Sequence, residues 1–265
     1  MPHSSDREYA ERAIPQYERA VELAGGAPVR IPLDRTPVEI MKMIASCDGV
    51  LLPGSNADVD PARFSAARSA HTASADLPRE AVDDLLLEDA FARRKPVLGI
   101  CYGLQSLNVY RKGSLVQHIP DFLPQDLRAR VNHEAGKTVA VAHTVEIEPE
   151  SILAKIVGAA AGKNREGQGY SRDAGQEKNP ASTAKAPLVI AVNSSHHQSA
   201  DAIGDGLRIV ARCVEDGIIE AAEGTAQDHF VLAVQWHPER SVDHDEPSLA
   251  IFKALVGAAA GRPGS

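Results

Sequence analysis

Two short apolar runs constrain this chain more than any other feature. One lies within Asp48–Ser55, ending Leu-Leu-Pro-Gly-Ser, and the other within Lys95–Cys101, ending Val-Leu-Gly-Ile-Cys. Each is too short for a helix and shows no polar alternation, which suits a strand buried on both faces. Such strands need helices to cover them, and helical patterns stand on either side. Residues 7–24 carry Ala13, Tyr17, Val21 and Leu23 on a broken stripe, with Pro15 marking a start or a bend and Gly25-Gly26 a stop. An extended piece, 28–33, follows. Residues 36–47 place Ile40, Met43 and Ile44 on one face behind Pro37. Residues 77–95 form an amphipathic helix that starts near Asp76 and ends in cations, and 102–113 form another, stopped at Gly113.

The second half is richer in strands, at 138–148, 187–198, 207–216, 217–224 and 230–239, and the chain closes with an amphipathic helix over 247–261. The alternation predicts a single α/β domain over 1–265, three-layered and flavodoxin-like, with a largely parallel central sheet and antiparallel additions. Aromatic residues make up 4% of the chain, so the core must be built mainly from Val, Leu, Ile and Ala. Between Gly158 and Ala186 the composition turns to Gly, Ala, Lys, Glu and Asn without an apolar period, and a mobile surface insertion, with room for a frayed helix at its start, is expected there.

Charge and cysteine usage exclude several function classes. The net charge is −8, and no Lys/Arg stripe offers itself to nucleic acid or to an anionic membrane. The cysteines number three, Cys47, Cys101 and Cys213, with no CxxC spacing, so neither a disulfide framework nor a zinc site is expected. A reducing cytoplasm is the natural compartment. The opening residues are too polar for a signal peptide, and no apolar run is long enough to span a bilayer.

Chemistry concentrates at Gly99-Ile100-Cys101-Tyr102-Gly103. A buried strand runs into a cysteine flanked by glycines, and a helix begins at once, as in a nucleophile elbow. The tight turn puts Cys101 in a strained conformation, and the adjacent helix N-terminus favours thiolate. A nucleophilic thiol needs a base, and His237 stands where the strand Ala233-Val234-Gln235-Trp236 ends. Pro238 keeps His237 extended, so Glu239 two residues on can orient its ring. The backbone N–H of Tyr102, with Gly54 or Ser55 from the Pro53-Gly54-Ser55 turn, would stabilise an oxyanion. Cys47 and Cys213 lack such surroundings and read as structural.

The motifs around Cys101, Gly54 and His237 together resemble the class I glutamine amidotransferases. Pro53–Pro61, Gln105–Val109, Gly113–Pro120 and Val192–Gln198 look like the γ-glutamyl-γ-aminobutyrate hydrolase branch, a likeness that runs from about Tyr9 to Leu255. The resemblance implies a γ-glutamyl thioester on Cys101, with His237 as base and acid and Glu239 as orienter. It implies that Gln105, Ser195, His196, His197 and Gln198 bind a small γ-glutamyl amide, with no cofactor and no metal. Adjacent histidines on a strand point to opposite faces, so His196 and His197 are not expected to share an ion. The family opens with a short apolar strand, whereas Met1–Asp6 alone precede the first helical stretch here. Two other functions stay open, a glutaminase subunit that feeds ammonia to a synthase and a catalytically silent regulator. The oligomeric state is also left open, a homodimer included.

Overall fold

The computed structural model describes residues 1–2, 4–167 and 186–261. Its helices and strands run, in chain order, α1 (Arg7–Leu23), α2 (Pro37–Ala45), β1 (Val50–Leu52), α3 (Leu77–Arg93), β2 (Val97–Ile100) and α4 (Tyr102–Tyr110). Then come β3 (Leu115–Val116), α5 (Ile119–Phe122), α6 (Gln125–Arg128), β4 (His143–Ile147), α7 (Ile152–Gly167) and β5 (Leu188–Val192). The last are β6 (Ser199–Ala200), β7 (Leu207–Cys213), β8 (Ile219–Gly224), β9 (Val231–Val234) and α8 (Glu246–Ala260).

The main sheet has seven strands in the order β1-β2-β9-β8-β7-β4-β5. Of its six neighbour pairings, β1/β2 and β2/β9 are parallel and the other four antiparallel. The fold class is therefore the expected one, a mixed sheet with a parallel core, and the antiparallel additions are extensive. Alternation along the strands makes the layers. Leu51, Leu98, Ile100, Leu232 and Val234 pack on one face with residues of α1, α7 and α8. Val50, Leu52, Val97, Val231 and Ala233 pack on the other with residues of α2, α3 and α4.

Local signals explain the helix starts. The Asp6 side chain accepts from Tyr9 N at the head of α1, and Asp76 accepts from Arg79 N at the head of α3. At α2, Thr36 and Glu39 form a reciprocal capping box just before Pro37. Pro15 neither starts nor ends α1, which runs through it, because the buried stripe Tyr9, Ala13, Ile14, Tyr17, Ala20 and Val21 outweighs one missing backbone bond.

The Gly158–Ala186 segment begins as helix. Helix α7 continues to Gly167, carried by Leu153, Val157 and Ala160 on one buried face, and residues 168–185 lie outside the described part. The extended piece at 28–33 forms no strand. Ile31 makes a single parallel bridge with Pro2, and its N–H donates to Met1 O at 2.7 Å. Among the described residues β1 therefore ends the sheet.

Candidate active site

Strand β2 delivers Cys101 to the C-terminal edge of the parallel core. Cys101 N donates to Val234 O at 2.8 Å, which locks the end of β2 to the end of β9. Cys101 has φ 53 and ψ −108, a left-handed conformation that costs a non-glycine residue about 1–3 kcal/mol. Its neighbours show why the turn needs glycine. A Cβ on Gly99 would lie 2.7 Å from Gly103 O, and one on Gly103 would lie 2.1 Å from Leu52 O. Both obstacles are backbone, so neither can move aside cheaply. Cys101 occupies the N-cap position of α4, yet its side chain makes no capping bond. The sulfur thus stays free of the role that Asp6 and Asp76 serve elsewhere.

His237 follows β9, the strand beside β2. Its Nδ1 lies 2.7 Å from Glu239 Oε1, with both side chains buried. A carboxylate only accepts, so the proton belongs on Nδ1 and Nε2 keeps its lone pair. The backbone of His237 is held by a clamp that sequence reasoning missed. Asn193 Nδ2 donates to His237 O at 2.8 Å, and His237 N donates to Asn193 Oδ1 at 2.9 Å. The sequence showed Asn193 only as part of a pocket-lining stretch.

Burial sets the protonation state. It pushes the Cys101 thiol up to about 12, with Glu239 adding to the rise and Arg240 and the Tyr102 N–H opposing it. It also brings His237 below the usual imidazole range, against the pull of Glu239. Burial thus opposes the expected preference for thiolate at the helix N-terminus and favours a neutral thiol and a neutral imidazole.

A cavity of about 220 Å³ opens over Cys101. Its walls include Ser55, Tyr102, Gln105, Ser195, His196, His197 and Gln198 from the predicted set, together with Asp58. His237 and Glu239 are not among its lining residues. Several lining side chains spend their polar groups on protein. Gln105 Nε2 donates to Gln198 O at 3.1 Å and to Gln235 Oε1 at 3.3 Å. His197 Nε2 stands 3.0 Å from Asp58 Oδ1. Gln198 Nε2 donates to Gln117 O at 3.2 Å. Gln105 thus braces the wall of the cavity from behind.

Gly54 departs from its predicted role. Its N–H donates to the Tyr17 hydroxyl at 3.0 Å, so it is already committed, while Ser55 and Tyr102 border the cavity. A Cβ on Gly54 would meet Tyr17 Oη, His237 Cε1 and Tyr9 Oη at 3.0–3.1 Å, so the turn passes as close as a backbone can. Helical periodicity put Tyr17 in the core of α1, and nothing in the sequence tied its hydroxyl to this turn. Arg79 was missed for the same reason. Fully buried, it donates to Asp83 Oδ1 at 2.7 Å and to Pro53 O at 2.8 Å, and it lies over the Tyr102 ring. Asp83 accepts in turn from Ser106 Oγ at 2.9 Å. One buried ion pair thereby joins the Pro53 turn, α3 and the elbow.

Comparison with known proteins places this geometry. A glutamine amidotransferase-like protein of Rickettsia prowazekii is 32% identical over 91% of this chain and 87% of its own length. The γ-glutamyl-γ-aminobutyrate hydrolase PuuD of Escherichia coli is 27% identical over 92% of this chain and 84% of its own. The glutaminase domain of Trypanosoma brucei CTPS with bound acivicin shares the fold. Its TM-score is 0.56 at 15% identity, over 100% of this chain and 94% of that one. None of the described helices is long and apolar enough to cross a membrane. The Peptidase C26 model matches residues 2–239, so the chain belongs to the glutamine amidotransferase-like Peptidase C26 family, which supports a hydrolase activity.

Proposed function

We propose that this protein hydrolyses the γ-glutamyl amide bond of a small γ-glutamyl-amine through a thioester on Cys101. The observation that carries the reading is Cys101 itself, strained at φ 53, uncapped, and facing a cavity of metabolite size. The His237–Glu239 pair supports it, since Nε2 is left as the basic nitrogen. In this scheme His237 Nε2 takes the thiol proton as sulfur bonds to the γ-carbonyl carbon. The Tyr102 and Ser55 N–H groups would receive the oxyanion. The C–N bond then breaks, and the amine leaves with the proton held by His237. Water attacks the thioester, gives a proton to His237, and glutamate departs as the thiol re-forms. Because thiol and imidazole both start neutral, His237 acts as a general base rather than as half of a standing ion pair.

The leaving-amine class rests on the γ-glutamyl-γ-aminobutyrate hydrolases among the relatives. The cytoplasmic compartment rests on three cysteines that form no disulfide. The test is glutamate release from γ-glutamyl-γ-aminobutyrate and from glutamine, compared as kcat/KM. A clear preference for the γ-glutamyl amide is the expected result. A preference for glutamine that grows on adding a synthase would instead make it a glutaminase subunit, and turnover of neither would sink the hydrolase reading.

A further inference from the structure

Four buried side chains from distant parts of the chain converge at the cavity wall, where His196 is a lining residue. His133 Nδ1, His143 Nε2 and His196 Nε2 lie 3.4, 3.4 and 3.5 Å from Glu220 Oε1. All four ligand atoms lie within 4.8 Å of one another. None of these nitrogens, and neither oxygen of Glu220, has a hydrogen-bond partner in the protein, although all are buried. Their side chains are no more than 4% exposed. Leaving so many polar atoms unsatisfied in one place would cost about 1–3 kcal/mol for each.

The other ring nitrogens fix which atoms carry protons. His133 Nε2 lies 2.8 Å from Asp216 Oδ2, and His196 Nδ1 lies 2.9 Å from Gln198 O. His143 Nδ1 faces Thr144 O at 3.4 Å. These partners can only accept, so each ring donates outward and a neutral ring turns a bare lone pair toward the Glu220 carboxylate. An anion faced by three ring nitrogens in a buried site needs a positive charge among them, which either a proton on His133, held there by Asp216 and Glu220, or a metal ion supplies. The 3.4–3.5 Å separations are long for N–H···O bonds. They lie close to the tetrahedron edge of about 3.3–3.4 Å that follows from Zn–N and Zn–O bonds of about 2.0–2.1 Å.

We propose that His133, His143, His196 and Glu220 bind one divalent transition ion of the zinc type in a closed, four-coordinate site. Three imidazoles and one carboxylate suit zinc and do not suit the all-oxygen preference of magnesium or calcium. Asp216 and the Gln198 carbonyl orient two of the rings, as the outer partners of metal-bound histidines do. With four protein ligands, the ion has a structural role. It ties β4 and β8 to the segment after α6 and to the 193–198 loop, whose Ser195 and His197 line the cavity. The site departs from the expectation of no metal. Adjacent His196 and His197 indeed do not share an ion, since His197 turns to Asp58. His196 instead joins residues far off in sequence. The inference stands whether or not the proposed hydrolysis does.

The test uses tag-free full-length protein. Metal content is measured by mass spectrometry as purified, and again after refolding from denaturant with zinc or cobalt. About one ion per chain is expected, with the intense visible bands of tetrahedral cobalt in the cobalt form. His143→Ala and Glu220→Gln should each lower the bound metal at least tenfold, and Asp216→Asn should weaken cobalt affinity roughly ten- to a hundredfold. If the variants fail to fold, the wild type still decides, because chelation should lower its Tm and zinc should restore it. Less than about a tenth of an equivalent after refolding with either metal would overturn the proposal. So would six-coordinate cobalt spectra, or metal that persists undiminished in both ligand variants.

Discussion

The two polar constellations of this molecule are built in opposite ways. The Cys101 corner is local. Its proposed nucleophile sits in a five-residue motif between Gly99 and Gly103, and the proposed base and orienter are two residues apart. Its strands β1, β2 and β9 are short, apolar and parallel. The histidine cluster is dispersed. Its members come from four segments spread between positions 133 and 220, gathered where the sheet turns antiparallel. The first leaves a thiol exposed to a cavity at the cost of backbone strain. The second closes inward, with every ring braced from outside. The contrast suggests that the first governs turnover and the second governs stability and the shape of the cavity wall.

The largest effect should come from Cys101→Ala. Turnover of γ-glutamyl-γ-aminobutyrate is expected to fall by roughly 10⁴-fold or more. The unfolding free energy should change by less than about 1 kcal/mol, since the methyl group fits where the thiol was. Substantial residual glutamate release would remove Cys101 from the chemistry and the comparison with it.

His143→Ala probes the other region. It removes one ligand of the proposed ion, and losing that ion leaves the buried Glu220 carboxylate uncompensated, at a cost of about 3–5 kcal/mol. Chemical denaturation should show that loss while iodoacetamide still labels Cys101 in the folded protein. An unchanged midpoint would mean the cluster contributes nothing to stability.

Asn193→Ala lies between the regions, at the end of β5 but bonded to the His237 backbone at both ends. Misplacing the base should cut kcat roughly ten- to a hundredfold, with KM little changed. Equal loss in KM would show that the residue positions substrate instead.

The smallest effect, and the sharpest about mechanism, is in pH. The Cys101 thiol pushed up to about 12 is protonated across the neutral range. Its alkylation rate should therefore climb about tenfold per pH unit from 7 to 9 without a plateau. For turnover, His237 must be neutral, and its lowered value puts the acid limb below the ordinary imidazole value of 6.5. A plateau in alkylation through neutral pH would reveal a standing thiolate–imidazolium pair.

The sequence alone determined what depends on near neighbours. Periodicity marked α2, α3 and α8, since burial of one helix face repeats every three or four residues. Composition marked the change at the 158–186 stretch, and its start is helical because Leu153, Val157 and Ala160 form a buried stripe. The glycines around Cys101 and the spacing of His237 and Glu239 pointed to the candidate site, because a tight turn and an i, i+2 contact are local matters. Only the tertiary structure decided what depends on approach between distant segments. It set the burial that opposes the helix N-terminus at Cys101, the capture of Gly54 N–H by Tyr17, and the Arg79 bridge to Pro53. It also decided the meeting of His133, His143 and His196 on Glu220. Desolvation and convergence are properties of packed volume, and no spacing along the chain encodes them.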